Sequence, residues 1–253
     1  MNARGFYTLF WKELLRFYKV MLQTVIAPVI TTLLYLLVFS HALGRHVVVY
    51  GQIEYTAFLI PGLVMMTIIQ NAFANTSSSL IQSKVAGNIV FMLLAPLSYL
   101  ELYLAFVCAA MVRGLTVGLG VYLCALPFVS LPMYSVTAVI IFALVGSALL
   151  ATLGMIAGIW AEKFDQLAGF QNFVVMPLIF LSGVFYSIHS LPEIWQVASR
   201  FNPFFYMIDG FRYGFFGVSD IDPRISIAAV AIFLAILTAL TVGLLRRGYR
   251  LRN

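Results

Sequence analysis

From Gly114 to Ala161 the chain carries no Asp, Glu, Lys or Arg. A bilayer-crossing helix needs only roughly 20 mostly apolar residues, so this run is too long for one crossing. The segment "LPFVSLP", Leu126 to Pro132, divides it, because proline lacks the backbone N–H that a helix interior uses. Two spans result, about Leu102 to Ala125 and Tyr134 to Trp160. The same reading places four more at Met21 to Ser40, Ala57 to Ser79, Phe170 to Tyr186 and Ile225 to Leu245. The fifth is short and contains Pro177. Only 9% of residues are charged and 62% are hydrophobic, against roughly 25% charged in soluble domains. The sequence predicts an all-α membrane protein with six transmembrane helices.

An even number of spans puts both termini on one side. Arg4, Lys12, Arg16 and Lys19 precede the first span; Arg246, Arg247, Arg250 and Arg252 follow the last. Lys84 and Lys163 fall in loops on that same side. Arg45, Arg200, Arg212 and Arg224 fall on the other. Basic residues concentrate on the cytoplasmic side of membrane proteins, so the termini are expected there. The net charge of +6 is accounted for in this way, and nucleic acid is not an expected partner. No cleavable signal sequence is expected, because the leading segment is long and aromatic and no small-residue cleavage site follows the first apolar run.

Within the leading segment, Arg4, Thr8, Lys12, Arg16 and Lys19 recur at steps of four and three and line one helical face. Phe6, Phe10, Leu14 and Phe17 line another. Residues 1–19 therefore read as an amphipathic interfacial helix, its basic face toward lipid phosphates or a partner.

The segment Ser187 to Arg224 is long for a structureless loop. "SLPE", Ser190 to Glu193, has the pattern of a capping box and predicts a short helix to about Phe201. "NP", Asn202–Pro203, breaks it. A second helix is expected from about Phe204 to Phe216. At about 1.5 Å per residue it is roughly 20 Å long and does not span a core of roughly 30 Å. The two form a re-entrant helical hairpin between the fifth and sixth spans. Asp209 and Arg212 are close enough to pair with each other, or each with neighbouring groups, which lowers the cost of burial. Gly210, Gly214 and Gly217 offer a small face where another backbone approaches closely. Arg200 belongs to the same hairpin.

Arg113 lies inside the third span, since only Gly114 to Leu126 separates it from the proline break. It either meets carbonyls, a carboxylate, headgroups or water in the interior, or snorkels to the inner headgroups. Gln70, Asn71 and Asn75 form a polar patch on the second span, lining a substrate path or hydrogen-bonding between helices. Cys108 and Cys124 form no C-x-x-C and read as packing residues. His41, His46 and His189 lack the neighbours of a metal site, and no catalytic constellation follows from spacing.

"FLIPGLVMM" (Phe58 to Met66), "LLAPLS" (Leu93 to Ser98), "VRGLTVG" (Val112 to Gly118) and "LSGVFYSIHSLPEIWQVASRFNPFFYMIDGFRYGFFG" before the last span occur in an order that resembles the permease subunits of ABC-2 type transporters. Among these the chain resembles the YadH-like inner-membrane permeases of bacteria. The resemblance covers essentially the whole chain and implies one transmembrane domain, 1–253, with the six-span permease in 20–253. It implies a homodimer working with two copies of a separate cytoplasmic ATPase, which holds ATP and Mg; no cofactor is expected in this chain. The expected activity is export of an amphiphile, glycan or lipid-like substrate across the inner membrane. The chain has no G-x-x-x-x-G-K-[ST] phosphate loop, which agrees with a separate motor. By position, Leu80 to Pro96 is the coupling helix. Lys84, Val85, Ile89 and Met92 are its expected ATPase contacts, and Glu162, Lys163 and Asp165 form a second contact. The alternatives are an ion- or proton-coupled secondary transporter, which usually carries acids deep in its spans, and a non-transporting membrane scaffold.

Overall fold

The longest helix is also the most buried, and the rest of the molecule is arranged around it. The computed structural model describes residues 3–42, 48–51 and 53–250; Arg45, His46 and Arg252, used above in reading charge and metal-site patterns, lie outside the described residues. Helix α1 (Ala3–Lys19) leads into α2 (Met21–Ala42). Strands β1 (Val48–Val49) and β2 (Ile53–Glu54) pair antiparallel, Val48 opposite Glu54, a small β element that the all-α expectation did not include. Then follow α3 (Tyr55–Val85), α4 (Ile89–Leu94), α5 (Tyr99–Ala125) and α6 (Val136–Trp160). Helices α7 (Phe164–Phe170) and α8 (Met176–Phe180) are joined by a π-helical turn, Gln171–Val175. A 3₁₀ turn (Ile188–Ser190), α9 (Glu193–Arg200), α10 (Pro203–Phe216) and α11 (Pro223–Arg247) complete the chain.

Five of these helices, α2, α3, α5, α6 and α11, are long and apolar enough to cross a membrane. The expected fifth span is not among them. Its helix starts earlier, at Phe164, and ends at Phe180, where turns take over before Tyr186. The π turn ends two residues before Pro177, at a point where the proline ring and its missing N–H disturb regular α-helical bonding.

Helix α3 packs against α5, α6 and α10. At 31 residues it is about 46 Å long, well beyond a core of roughly 30 Å. Small residues let its neighbours approach. A Cβ at Gly114 of α5 would sit 2.7 Å from the Ile68 carbonyl oxygen, and one at Gly158 of α6 2.9 Å from Leu80 Cβ. Polar bonds add to this packing. Thr76 donates to the Ala151 carbonyl at 2.7 Å, and the Tyr103 hydroxyl meets Thr152 of α6 and Thr238 of α11 at 2.8 Å each. Helices α2 and α11 lie at the edges, with most of their apolar surface open.

Several expected boundaries move for local reasons. Ser190 does not cap α9; its hydroxyl donates back to the Ser187 carbonyl at 2.7 Å, and Pro192 precedes the helix instead. A capping box forms at α5, where Ser98 Oγ accepts from the Glu101 N–H at 3.2 Å and Glu101 Oε2 accepts from the Ser98 N–H at 2.8 Å. The expected coupling helix, Leu80 to Pro96, is two pieces. Leu80 to Val85 finish α3, Gly87 turns the chain at φ +71°, and α4 begins at Ile89.

Candidate functional site

Polar and charged groups gather at both ends of the helical core. At one end stands α10. The Asn202 Oδ1 accepts from the Phe204 N–H at 3.0 Å, Pro203 opens the first turn, and Gly217 closes the helix at φ +71°. Asp209 and Arg212 are each 1% exposed. They do not pair with each other; among the described residues no ion pair joins them. Instead Arg212 Nη2 donates to the Gly183 carbonyl at 2.8 Å, and the guanidinium lies 3.8 Å from the centre of the Phe58 ring. Gly62 of α3 leaves room for this, since a Cβ there would sit 3.2 Å from Arg212 Nη2. The Asp209 carboxylate accepts from the N–H groups of Asp220 at 2.8 Å and Ile221 at 3.1 Å. Of the alternatives left open by the sequence, pairing with neighbouring groups is the one found. Gly214 faces the start of α6, where Ser135 N–H donates to the Gly214 carbonyl at 2.8 Å and Tyr134 N–H to the Phe215 carbonyl at 3.1 Å. Gly210 faces Phe142 of α6. Arg200 is exposed at the end of α9, and its carbonyl accepts from the Tyr206 hydroxyl at 2.7 Å.

Asp220, which sequence reasoning passed over, joins three segments here. It accepts from the Tyr50 hydroxyl at 2.9 Å, Ser187 Oγ at 2.6 Å and the Ile188 N–H at 2.9 Å. His189 Nε2 is 3.8 Å away. Burial raises the Tyr50 phenol above its ordinary value, so it stays a donor to the carboxylate. A usable signal was present: two aspartates, Asp220 and Asp222, between a glycine helix stop and a proline helix start.

At the other end, α1 is tied to the core through polar groups. Arg16 Nη2 donates to the Asn75 carbonyl at 2.6 Å and to Asn75 Oδ1 at 3.0 Å, and Nη1 to Ser78 Oγ at 3.1 Å. Glu13, fully buried, meets Arg16 at 3.3 Å and Lys12 at 3.2 Å. Arg113 of α5 donates to Asn75 Oδ1 and Asn71 Oδ1 at 3.5 Å each, with the Phe17 ring at 5.8 Å. Asn71 and Asn75 therefore bond between helices. Gln70 is on another face, its amide 3.6 Å from Met176 Sδ, beside a cleft of about 210 Å³ between α2 and α3. Glu13 was missed because an acid inside a basic stripe reads as solvated.

Near α4 the expected contact set separates. Val85 is exposed, whereas Ile89 is buried in the core and Met92 is half-buried. The turn at residues 86–88 puts them on different surfaces. The large exposed apolar residues of α4 are Val90, Phe91 and Leu94, the last two 73% and 76% exposed. Lys84 points inward and donates to the carbonyls of Ile159 and Ala161 at 2.5 and 2.7 Å, which caps the C-terminal end of α6. Glu162, Lys163 and Asp165 are exposed, and Arg250 reaches Glu162 at 3.6 Å.

Residues 4–216 match the family described as ABC-2 type transporter. The chain is 36% identical over 242 residues to the inner membrane transport permease YadH of Escherichia coli K12, covering 96% of this chain and 94% of that one. It is 28% identical over 232 residues to nodulation protein J of Rhizobium leguminosarum bv. trifolii, covering 90% and 88%. With nodulation protein J of Rhizobium meliloti strain 1021 the identity is 23% over 248 residues, covering 97% and 94%.

Proposed function

Because the chain belongs to the ABC-2 type transporter family and is a multi-pass inner-membrane transport permease, we propose that it is the membrane-spanning subunit of an ATP-driven exporter. Two copies work with two copies of a cytoplasmic ATPase that binds ATP and Mg, and they move an amphiphile, glycan or lipid-like substrate outward. The observation that carries this reading is α4. It presents Phe91 and Leu94 to the outside just beyond the end of the central helix, where an apolar groove on an ATPase would cover them. Lys84 ties that end of α3 to the end of α6, so a push on α4 reaches two spans at once. The open apolar faces of α2 and α11 suit lipid or the second copy.

The helical run from Phe164 to Phe180 supports a sixth crossing. Seventeen residues rise about 25 Å, a few ångströms short of a core of roughly 30 Å, a mismatch that local thinning of the bilayer accommodates. Both termini then lie in the cytoplasm, with α1 in the inner interface. The α9–α10 hairpin stands at the outer end of the path.

The test is Phe91→Asp and Leu94→Asp, each made in the full chain. Both side chains are exposed, so folding and membrane abundance should stay at wild-type level. A carboxylate in an apolar groove is desolvated without a partner, so ATPase co-purification and export should both fall roughly ten-fold or more. Wild-type ATPase binding and export in both variants would remove α4 from the coupling role.

A further inference from the structure

Between α1 and the end of α3 lies a cleft of about 780 Å³. Lys12, Arg16 and Lys19 face it from α1, and Ser79 and Ser83, one turn apart, from α3. Among the described residues no acidic side chain lines it. The one acid of α1, Glu13, is fully buried beside it and already held by Lys12 and Arg16. Three cations against one carboxylate leave an excess of positive charge. Arg16 is spent on Asn75 and Ser78; Lys19, exposed, is an available donor, and Lys12, whose ammonium carries three N–H groups, is exposed and can donate beyond its contact with Glu13. Among the described residues no ion pair involves Lys19.

The position of the cleft narrows what fits it. Lys19 comes two residues before Met21, where the first membrane-crossing helix begins, so this end of the cleft sits at headgroup level. Trp11, Leu15 and Phe91 add apolar walls to the basic ones. Phe91 borders both this cleft and the surface assigned above to an ATPase, whereas Val90 and Leu94, exposed on α4, do not line the cleft, so the two surfaces adjoin along α4. A zwitterionic headgroup brings its own cation and is poorly served by excess positive charge. We propose that this cleft binds the headgroup phosphodiester of an anionic membrane phospholipid, with Lys12 and Lys19 on the phosphate and the acyl chains against Trp11 and Leu15.

The probe is dioleoylphosphatidylglycerol, with dioleoylphosphatidylcholine as comparison, added to the purified full chain in detergent and followed by native mass spectrometry. The wild type should retain the anionic lipid in preference to the zwitterionic one, and millimolar inorganic phosphate should not displace it. Lys12→Gln with Lys19→Gln should weaken retention by about five-fold per lysine. Lys19→Gln alone, which disturbs no buried group, should show half of that effect on a logarithmic scale. The pair Arg246→Gln and Arg247→Gln, outside the cleft, should leave retention unchanged. Equal retention of the two lipids, equal loss in the two double variants, or full displacement by inorganic phosphate would each overturn the proposal. So would a result in which the two lysines govern ATPase binding and not lipid.

Discussion

Gly214→Leu is expected to abolish export and to lower stability by about 3 kcal/mol or more, the scale of overpacking together with lost hydrogen bonds. A Cβ at Gly214 would sit 2.9 Å from the Val139 backbone nitrogen and 3.1 Å from the Ser135 carbonyl oxygen. Backbone cannot rotate aside as a flexible side chain does, so α10 must leave the start of α6. Leaving breaks the bonds from Ser135 N–H and Tyr134 N–H to the Gly214 and Phe215 carbonyls. The control is Gly243→Leu in α11, where a Cβ meets nothing within 4 Å. Thermal unfolding in detergent and export at matched membrane abundance measure both variants. A tolerated Gly214→Leu would mean that α10 does not pack on α6 as described.

Arg212→Ala and Asp209→Ala are expected to destabilise by about 2 to 4 kcal/mol each, for separate reasons. Loss of Arg212 removes the donor to the Gly183 carbonyl and opens a space over the Phe58 ring. Loss of Asp209 strands the N–H groups of Asp220 and Ile221 and loosens the segment that carries the Asp220 clasp. Because the two side chains bond to different partners, the double variant should approach the sum of the singles, with coupling below about 1 kcal/mol. A double variant no worse than either single would instead mean a mutual ion pair. Arg212→Lys should restore little, since an ammonium cannot lie flat on Phe58 while meeting the carbonyl.

What the sequence discloses follows from how each signal is generated. Long apolar runs and proline breaks are local, so α2, α3, α5, α6 and α11 were all visible, and the start of α10 followed from Asn202–Pro203. The fifth segment was misjudged because hydropathy alone extended it to Tyr186, whereas the helix starts at Phe164 and stops at Phe180. "SLPE" and "SYLE" carry the same capping signature. Only Ser98–Glu101 forms the box, and Ser190 is drawn into the 3₁₀ turn by the Ser187 carbonyl. The polar sites were half legible. Asn71, Asn75 and Arg113 could be named, but Arg16, the second cation on Asn75, comes from α1, and pairing between distant segments leaves no mark on spacing. The inward turn of Ile89 was hidden for a different reason. It depends on the left-handed turn at Gly87, which separates two stretches that a continuous helix would have aligned.

The proposed function requires one sidedness: α1, α4 and both termini in the cytoplasm, and the α9–α10 hairpin outside. Cysteine labelling in intact cells with a membrane-impermeant maleimide tests this most directly. The background replaces Cys108 and Cys124, the latter being exposed. Single cysteines are then placed at Ser190 and Lys163, both exposed, on the hairpin side and the α7 side. The account predicts that Ser190→Cys is labelled in intact cells and that Lys163→Cys is labelled only after the membrane is permeabilised. Labelling of Lys163→Cys from outside, or protection of Ser190→Cys until permeabilisation, would contradict it.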